Sequence, residues 1–403
     1  MDKPYRGSHH PNIDQKTDII FTEGERVVNM EISVCIITKN EARKLEKCLG
    51  AVKPFGFEIV VVDTGSVDNT KQMAATFTES IYDFVWCDDF SAAKNYAISK
   101  AKHDMVLVLD SDEYMEMYTE EDKRSLIKML EAHHGEVGRI RRINRYFRGD
   151  EECVSREWIN RIFNRKLYHY EGRIHEQVVL GSVFDYEREE AVEPKQVGSM
   201  ENKLSYQTFL CNLVISHDGY SGSKGERVKK AERNILLLKR EFEGNAQDTY
   251  VMYQLGKSYY MAGDYTEAIC YFELALGYDL DPKLEYVIDL VETYGYALLN
   301  SGQSETALLL ESVYEEFGNS ADFQFLMGLI YMNNEQFDHA VAEFLKAVKH
   351  THARVDGVNS YLAYYNAGVI RECLGDTKQA VKFYRQSGTY EKAIQRLKKL
   401  ENN

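Results

Sequence analysis

The chain has 403 residues, 44% of them hydrophobic and 28% charged, which excludes wholesale disorder and is too long for one compact core. Forty-nine basic residues stand against 64 acidic ones, and the net charge of −15 opposes nucleic acid and anionic membrane surfaces. No apolar run approaches the ~20 residues that cross a bilayer, and the N-terminus lacks the charged-then-apolar pattern of a secretion signal, so the chain is read as cytoplasmic.

The seven cysteines are scattered, odd in number and form no C-x-x-C pair, which argues against a disulfide framework and against a zinc cage. Residues 1–30 carry little hydrophobic pattern and are read as an N-terminal extension, with Met30 a candidate initiator.

From Glu31 the pattern changes to ISVCIIT, NEARKLEKCLGAV, FEIVVVDTGS, VDNTKQMAATF and MVLVLDSDE. Strand, helix, strand, helix, strand with turn residues at each strand end is the signature of a parallel sheet wound with helices. Such sheets bind ligands at the carboxyl ends of their strands. Polar residues bunch there: Thr38 to Glu41 after the first strand, Asp63 to Asp68 after the second, and Asp110 to Glu113 after the later one.

The second half reads as repeats. Gly256, Gly295, Gly328 and Gly368 hold the same place in four copies, with Ala268, Ala307, Ala340 and Ala380 at a constant offset. Copies recur every ~33 to 40 residues, near the period of a tetratricopeptide repeat. The small residues let paired helices approach closely, and stacked pairs build a concave surface suited to a protein or peptide, or to bracing the first domain or pairing two subunits. The expected division is an extension over 1–30, an α/β domain over 31–225 and an all-α repeat superhelix over 226–403.

An Asp-x-Asp at the end of a buried strand can hold a divalent cation through oxygen ligands, and the cation can neutralise a diphosphate leaving group. With ISVCIITKNEARKLEKCLGAV, EIVVVDTGSVDNT, DDFSAAKNYAISKA, VLVLDSDEYM and GRIHEQV in this order, the chain resembles the family 2 glycosyltransferases of GT-A fold. It is most similar to the bacterial subgroup with C-terminal tetratricopeptide repeats, including enzymes that glycosylate glycocin-type peptides on cysteine or serine. The resemblance covers nearly all of residues 31–390.

The resemblance implies an inverting, metal-dependent transfer of a hexose or N-acetylhexosamine from a UDP-sugar to a Cys or Ser/Thr side chain of a peptide or protein. The rival readings are transfer to a polysaccharide or lipid-linked sugar, and a non-catalytic scaffold. Carried over by residue, Thr38 and Glu41 line the nucleotide pocket, and Asp63 accepts a hydrogen bond from the uracil, a helix cap or turn being its alternative. Asp89 lies near the nucleotide. Lys94 stands where the family often has Arg, as a phosphate contact or as a solvated helix face. Asp110 goes to the ribose or the metal, and Asp112 to Mn²⁺ or Mg²⁺ directly. Glu113 is read as a solvated acid. Arg161 contacts phosphate or shapes the sugar site, and Arg165 is structural. Glu176 is the candidate general base, with His175 as an alternative base or a diphosphate contact. His217, read as preceding a Gly–Tyr turn, completes the metal shell or is a buried structural histidine.

Overall fold

The computed structural model describes residues 30–116, 119–148, 151–184, 206–220 and 224–401. The N-terminal extension expected over 1–30 lies outside these except for Met30. The seven cysteines are all free, and Cys35, Cys48 and Cys211 are buried. Among the described residues no helix is long and apolar enough to cross a membrane.

The α/β half is one eight-stranded sheet. Its strands are β1 (Ile32–Thr38), β2 (Glu58–Asp63), β3 (Ile81–Asp83), β4 (Met105–Asp110), β5 (Glu113–Met115), β6 (Val137–Arg148), β7 (Glu151–Asn164) and β10 (Thr208–Tyr220), in the order β3-β2-β1-β4-β7-β6-β10-β5. The block β3-β2-β1-β4 is parallel throughout; β7 runs antiparallel to both β4 and β6, β10 lies parallel to β6, and β5 antiparallel to β10. A separate hairpin pairs β8 (Tyr168–Glu171) with β9 (Gln177–Leu180). The unbroken apolar runs of β1, β2 and β4 are buried on both faces, as a parallel sheet covered by helices requires.

Helix α1 (Ala42–Val52) covers one face with Leu45, Cys48, Leu49 and Val52, spaced for one helical stripe. The stretch after β2 forms only the short α2 (Thr70–Ala74) in place of the longer helix its pattern suggests, and the chain then turns into β3. Helix α3 (Phe90–Ser99) covers the other face, and α4 (Glu120–Ala132) opens on a capping box between Thr119 and Asp122. The segment SHDGY, expected as a turn, is instead the end of β10, held by pairing on both sides.

The repeat half begins with α5 (Lys224–Gly244), followed by α6 (Thr249–Ala262), α7 (Tyr265–Leu276), α8 (Glu285–Asn300), α9 (Ser304–Ala307), α10 (Tyr314–Phe317), α11 (Ala321–Asn333), α12 (Phe337–Ala347), α13 (Tyr361–Cys373), α14 (Thr377–Gln386) and α15 (Glu391–Glu401). The repeated glycines have a packing cause. A Cβ at Gly256, Gly328 or Gly368 would stand 2.5, 2.6 and 2.6 Å from the ring of Phe272, Phe344 and Tyr384 respectively, so each glycine seats an aromatic from the next helix. Gly295 instead meets Leu310 and Leu326, because the second helix of that copy breaks into short α9 and a 3₁₀ stretch over Leu308–Val313.

The two halves are joined at several points. Val355 forms an antiparallel bridge with Ser155 of β7, and the backbone N–H groups of Arg156 and Asp356 each donate at 2.9 Å, to Arg354 O and Val154 O. Nearer the strand ends, Gln177 Nε2 donates to the Tyr250 hydroxyl at 2.6 Å, and Arg173 N donates to Glu241 Oε1 at 2.6 Å.

Candidate active site

Parallel pairing brings the carboxyl ends of β1, β2 and β4 to one edge. Thr38 is in register with Asp63, and Ile37 with Asp110. Asp63 Oδ1 closes the following turn, accepting the N–H groups of Gly65 and Ser66 at 3.0 and 2.8 Å. Asp63 Oδ2 and Thr38 Oγ1 are buried with no hydrogen-bond partner among the described residues. A sealed, unpaired polar atom costs about 1–3 kcal/mol, so two at one strand edge mark a place where polar atoms are kept against that cost. Asp63 is thus a turn residue with one oxygen engaged and the other buried without a partner among the described residues. Asp68 accepts from Thr70 N at 3.0 Å, and Ser66 Oγ from Asn40 N at 2.8 Å.

Glu41 begins α1 and turns toward the Asp-Ser-Asp loop, where it accepts from the Ser111 hydroxyl while its Oε1 pairs with Lys44 at 3.0 Å. Asp112 and His217 are both buried, and Asp112 Oδ1 lies 3.5 Å from His217 Nε2. Burial opposes ionisation of Asp112, but the hydrogen bond and charge of His217, with Lys230 behind them, hold its pKa down at about 2. The other ring nitrogen of His217 is engaged: Asn144 Nδ2 donates to Glu157 Oε1 at 2.5 Å, which turns Asn144 Oδ1 toward His217 Nδ1 at 2.8 Å. The Asn144 contact fixes the orientation of the ring with Nε2 toward Asp112.

Asp110 is an ionic hub. Its Oδ1 pairs with Lys94 Nζ at 2.8 Å and its Oδ2 with Arg161 at 2.7 Å. Burial would raise its pKa, but the Arg161 and Lys94 cations outweigh it and hold the carboxyl well below the usual range. Both Asp110 oxygens are thus committed to cations of the chain itself. Lys94 is 2% exposed, which overturns the solvated-helix alternative, and its ammonium also binds Glu176 Oε1. Arg161 continues to Glu113 at 2.9 Å, and Glu113 to Arg142 at 3.1 Å. Glu113 is therefore not a solvated acid: it is fully buried, because the β4–β5 bend turns it inward between two guanidinium groups and onto Asp110 N.

His175 has φ +52°, and its Nε2 is sealed from solvent with no hydrogen-bond partner among the described residues. Burial, with the cations of Lys257, Lys230, Arg142 and Arg233 around it, pushes its pKa down to about 3. A group that binds a proton so weakly is a poor base at neutral pH. Asp89 caps α3: its Oδ1 accepts from Ser91 Oγ at 2.8 Å and from Ala92 N at 2.9 Å. Arg165 donates to the carbonyls of Ile98 and Ser99, a packing role.

Several residues at this site carry no local signal in the sequence. Asn144 and Glu157 arrive on the β6–β7 hairpin, and Lys230 and Arg233 on α5, where their charges act on Asp112. Asn95 is masked by its helix, although the Lys–Asn adjacency marks it.

A Rossmann-like sheet with carboxylates gathered at its parallel strand ends, followed by stacked helix pairs, defines the class of α/β domain joined to a helical solenoid. The glycosyl transferase family 2 model matches residues 33–187, and the tetratricopeptide repeat model matches 249–282, 321–349 and 361–394. The chain thus carries a family 2 glycosyltransferase domain followed by tetratricopeptide repeats. It is 28% identical over 236 residues to a TPR repeat-containing protein of Synechococcus elongatus, 58% of this chain and 53% of that protein. It is 23% identical over 315 residues to the SPbeta prophage-derived glycosyltransferase SunS of Bacillus subtilis, 76% of this chain and 68% of that protein. Among solved structures, YrrB, described as a TPR protein with an unusual peptide-binding site, is 23% identical with a TM-score of 0.36, over 43% of this chain and 85% of that one.

Proposed function

We propose that the chain is an inverting glycosyltransferase that moves a hexose or N-acetylhexosamine from a UDP-sugar to a Cys or Ser/Thr side chain of a peptide or protein. The observation that carries this reading is the pair of sealed, unpartnered acceptors, Thr38 Oγ1 and Asp63 Oδ2, beside the facing Asp112 and His217 of a family 2 domain. Asp63 Oδ2 accepts the ring N–H of uracil, and Glu41 and Asp110 receive the ribose. Asp89, as the cap of α3, shapes the pocket wall, and Arg161 holds Asp110 in place.

The chemistry of the donor set fits a divalent cation. Ligands at ~2.1 Å from one ion stand roughly 3 Å apart at adjacent octahedral corners, close to the 3.5 Å between Asp112 Oδ1 and His217 Nε2. Among the described residues no third His, Cys, Asp or Glu converges on them, so Asp112 and His217 would be the protein ligands and the donor diphosphate would share the shell. Bound there, Mn²⁺ or Mg²⁺ supplies charge neutralisation for the departing UDP. Glu176 takes the acceptor's proton, with one carboxylate oxygen anchored on Lys94. The repeats hold the peptide or protein acceptor.

Mass spectrometry of a peptide pool after incubation with UDP-glucose or UDP-N-acetylglucosamine and Mn²⁺ tests the reading. A hexose-sized or N-acetylhexosamine-sized gain on a Cys or Ser peptide supports it; no gain and no released UDP counts against it.

A further inference from the structure

Lys94 and Asn95 are neighbours on α3, both essentially buried, and both reach across to the β8–β9 hairpin. Asn95 does so as a strand would: its Nδ2 donates to Tyr170 O at 2.8 Å, and its Oδ1 accepts from Tyr170 N at 2.9 Å. This clamps β8 by its backbone two residues before Gly172, whose φ of +98° starts the loop that carries His175 and Glu176. Lys94 then fixes the far end of that loop, binding Glu176 Oε1 while its other contact holds Asp110 Oδ1 at 2.8 Å.

The Lys94 side chain is 2% exposed, against 13% for that of Glu176 and 35% for that of Asp110. Both carboxylates are more exposed than the lysine that joins them. A lysine that served a phosphate would present its ammonium to the cleft, with its carboxylate partners withdrawn. Burial alone would favour the neutral amine, yet Asp110 and Glu176 outweigh it and keep Lys94 charged.

We propose that Lys94 and Asn95 are positioning residues for the acceptor-side base: Asn95 sets the loop, and Lys94 ties Glu176 to the donor-side strand through Asp110 without itself contacting the donor phosphates. This rests on the reading of Glu176 as the base. One oxygen of Glu176 is anchored through Lys94 to Asp110 at the end of β4, so that strand end and the carboxylate are fixed as one unit. A long flexible carboxylate on a loop needs such a tether to keep its reach constant.

The test uses the full chain, with UDP-N-acetylglucosamine as donor and water as acceptor. Asn95→Ala, which removes no charge, and Lys94→Gln are compared with Glu176→Gln for UDP release, for UDP affinity with Mn²⁺ by calorimetry, and for melting temperature. Both positioning variants are expected to lower kcat at least ~10-fold with KM for the donor and UDP affinity within about twofold of wild type. Adding Lys94→Gln to Glu176→Gln is expected to cost nothing further. A loss of UDP affinity in Lys94→Gln would overturn the proposal in favour of phosphate binding, as would a lowered melting temperature with unchanged kcat. Full UDP release by Glu176→Gln would remove the base reading itself, whereas a slow Glu176→Gln beside fast Lys94→Gln and Asn95→Ala would remove only the positioning proposal.

Discussion

Asp112 Oδ1 and His217 Nε2 lie 3.5 Å apart, although one residue ends the Asp-Ser-Asp loop and the other sits near the end of β10. The antiparallel ladder of β5 with β10 brings them together, since Glu113 is in register with His217. If they share a cation, Asp112→Asn and His217→Ala weaken Mn²⁺ binding in the presence of UDP by ~10-fold or more, read by calorimetry. Unchanged Mn²⁺ affinity in both variants would reduce the pair to a buried structural contact.

Asp63→Asn separates the two jobs of that residue. The amide oxygen still closes the turn on Gly65 and Ser66, while the sealed Oδ2 position becomes an N–H donor, which would oppose the ring N–H of a uracil bound there. UDP affinity is expected to fall by 1–3 kcal/mol, roughly 5- to 150-fold, with little change in melting temperature. Equal UDP binding by wild type and variant would place the base elsewhere.

In the repeats, Gly328→Ala puts a methyl 2.6 Å from the Phe344 ring, deep in the core between α11 and α12. The expected cost is about 1–3 kcal/mol in chemical denaturation of the repeat half, from overpacking and helix separation. A variant as stable as wild type would show that this helix pair yields easily.

His175 gives a pH dependence with a definite sign. Its pKa falls from an ordinary 6.5 to about 3 on folding, so the unfolded chain binds the extra proton first. The contribution of the neutral imidazole is complete above pH 6.5 and is lost as pH falls through the window down to about 3. His175→Gln is therefore expected to flatten stability against pH by up to ~1.4 kcal/mol per unit inside that window, measured by urea midpoints. An unaltered slope would contradict the burial of that ring.

The runs that build β1, β2 and β4, and the glycines that seat Phe272, Phe344 and Tyr384, are legible because burial on both faces and close helix approach leave local marks. The candidate residues Thr38, Glu41, Asp63, Asp110 and Asp112 were readable for the same reason: parallel strands deliver their ends to one edge. Glu113 was not, because whether the second acid of Asp-Glu faces water or core depends on Arg161 and Arg142, which lie on the distant strands β7 and β6. The β6–β7 hairpin itself reads poorly, its arginines and glutamates resembling a solvated surface until the ion pairs are formed. Lys94 likewise looks exposed by residue type and is buried by its two carboxylates.

The most direct measurement is UDP release from UDP-glucose and UDP-N-acetylglucosamine by wild type and Asp112→Asn, with and without Mn²⁺. The account predicts metal-dependent release from at least one donor by wild type, and a fall of ~100-fold or more in the variant. Release that is absent from both donors, or indifferent to Mn²⁺ and to Asp112, would contradict a metal-dependent UDP-sugar site at these strand ends.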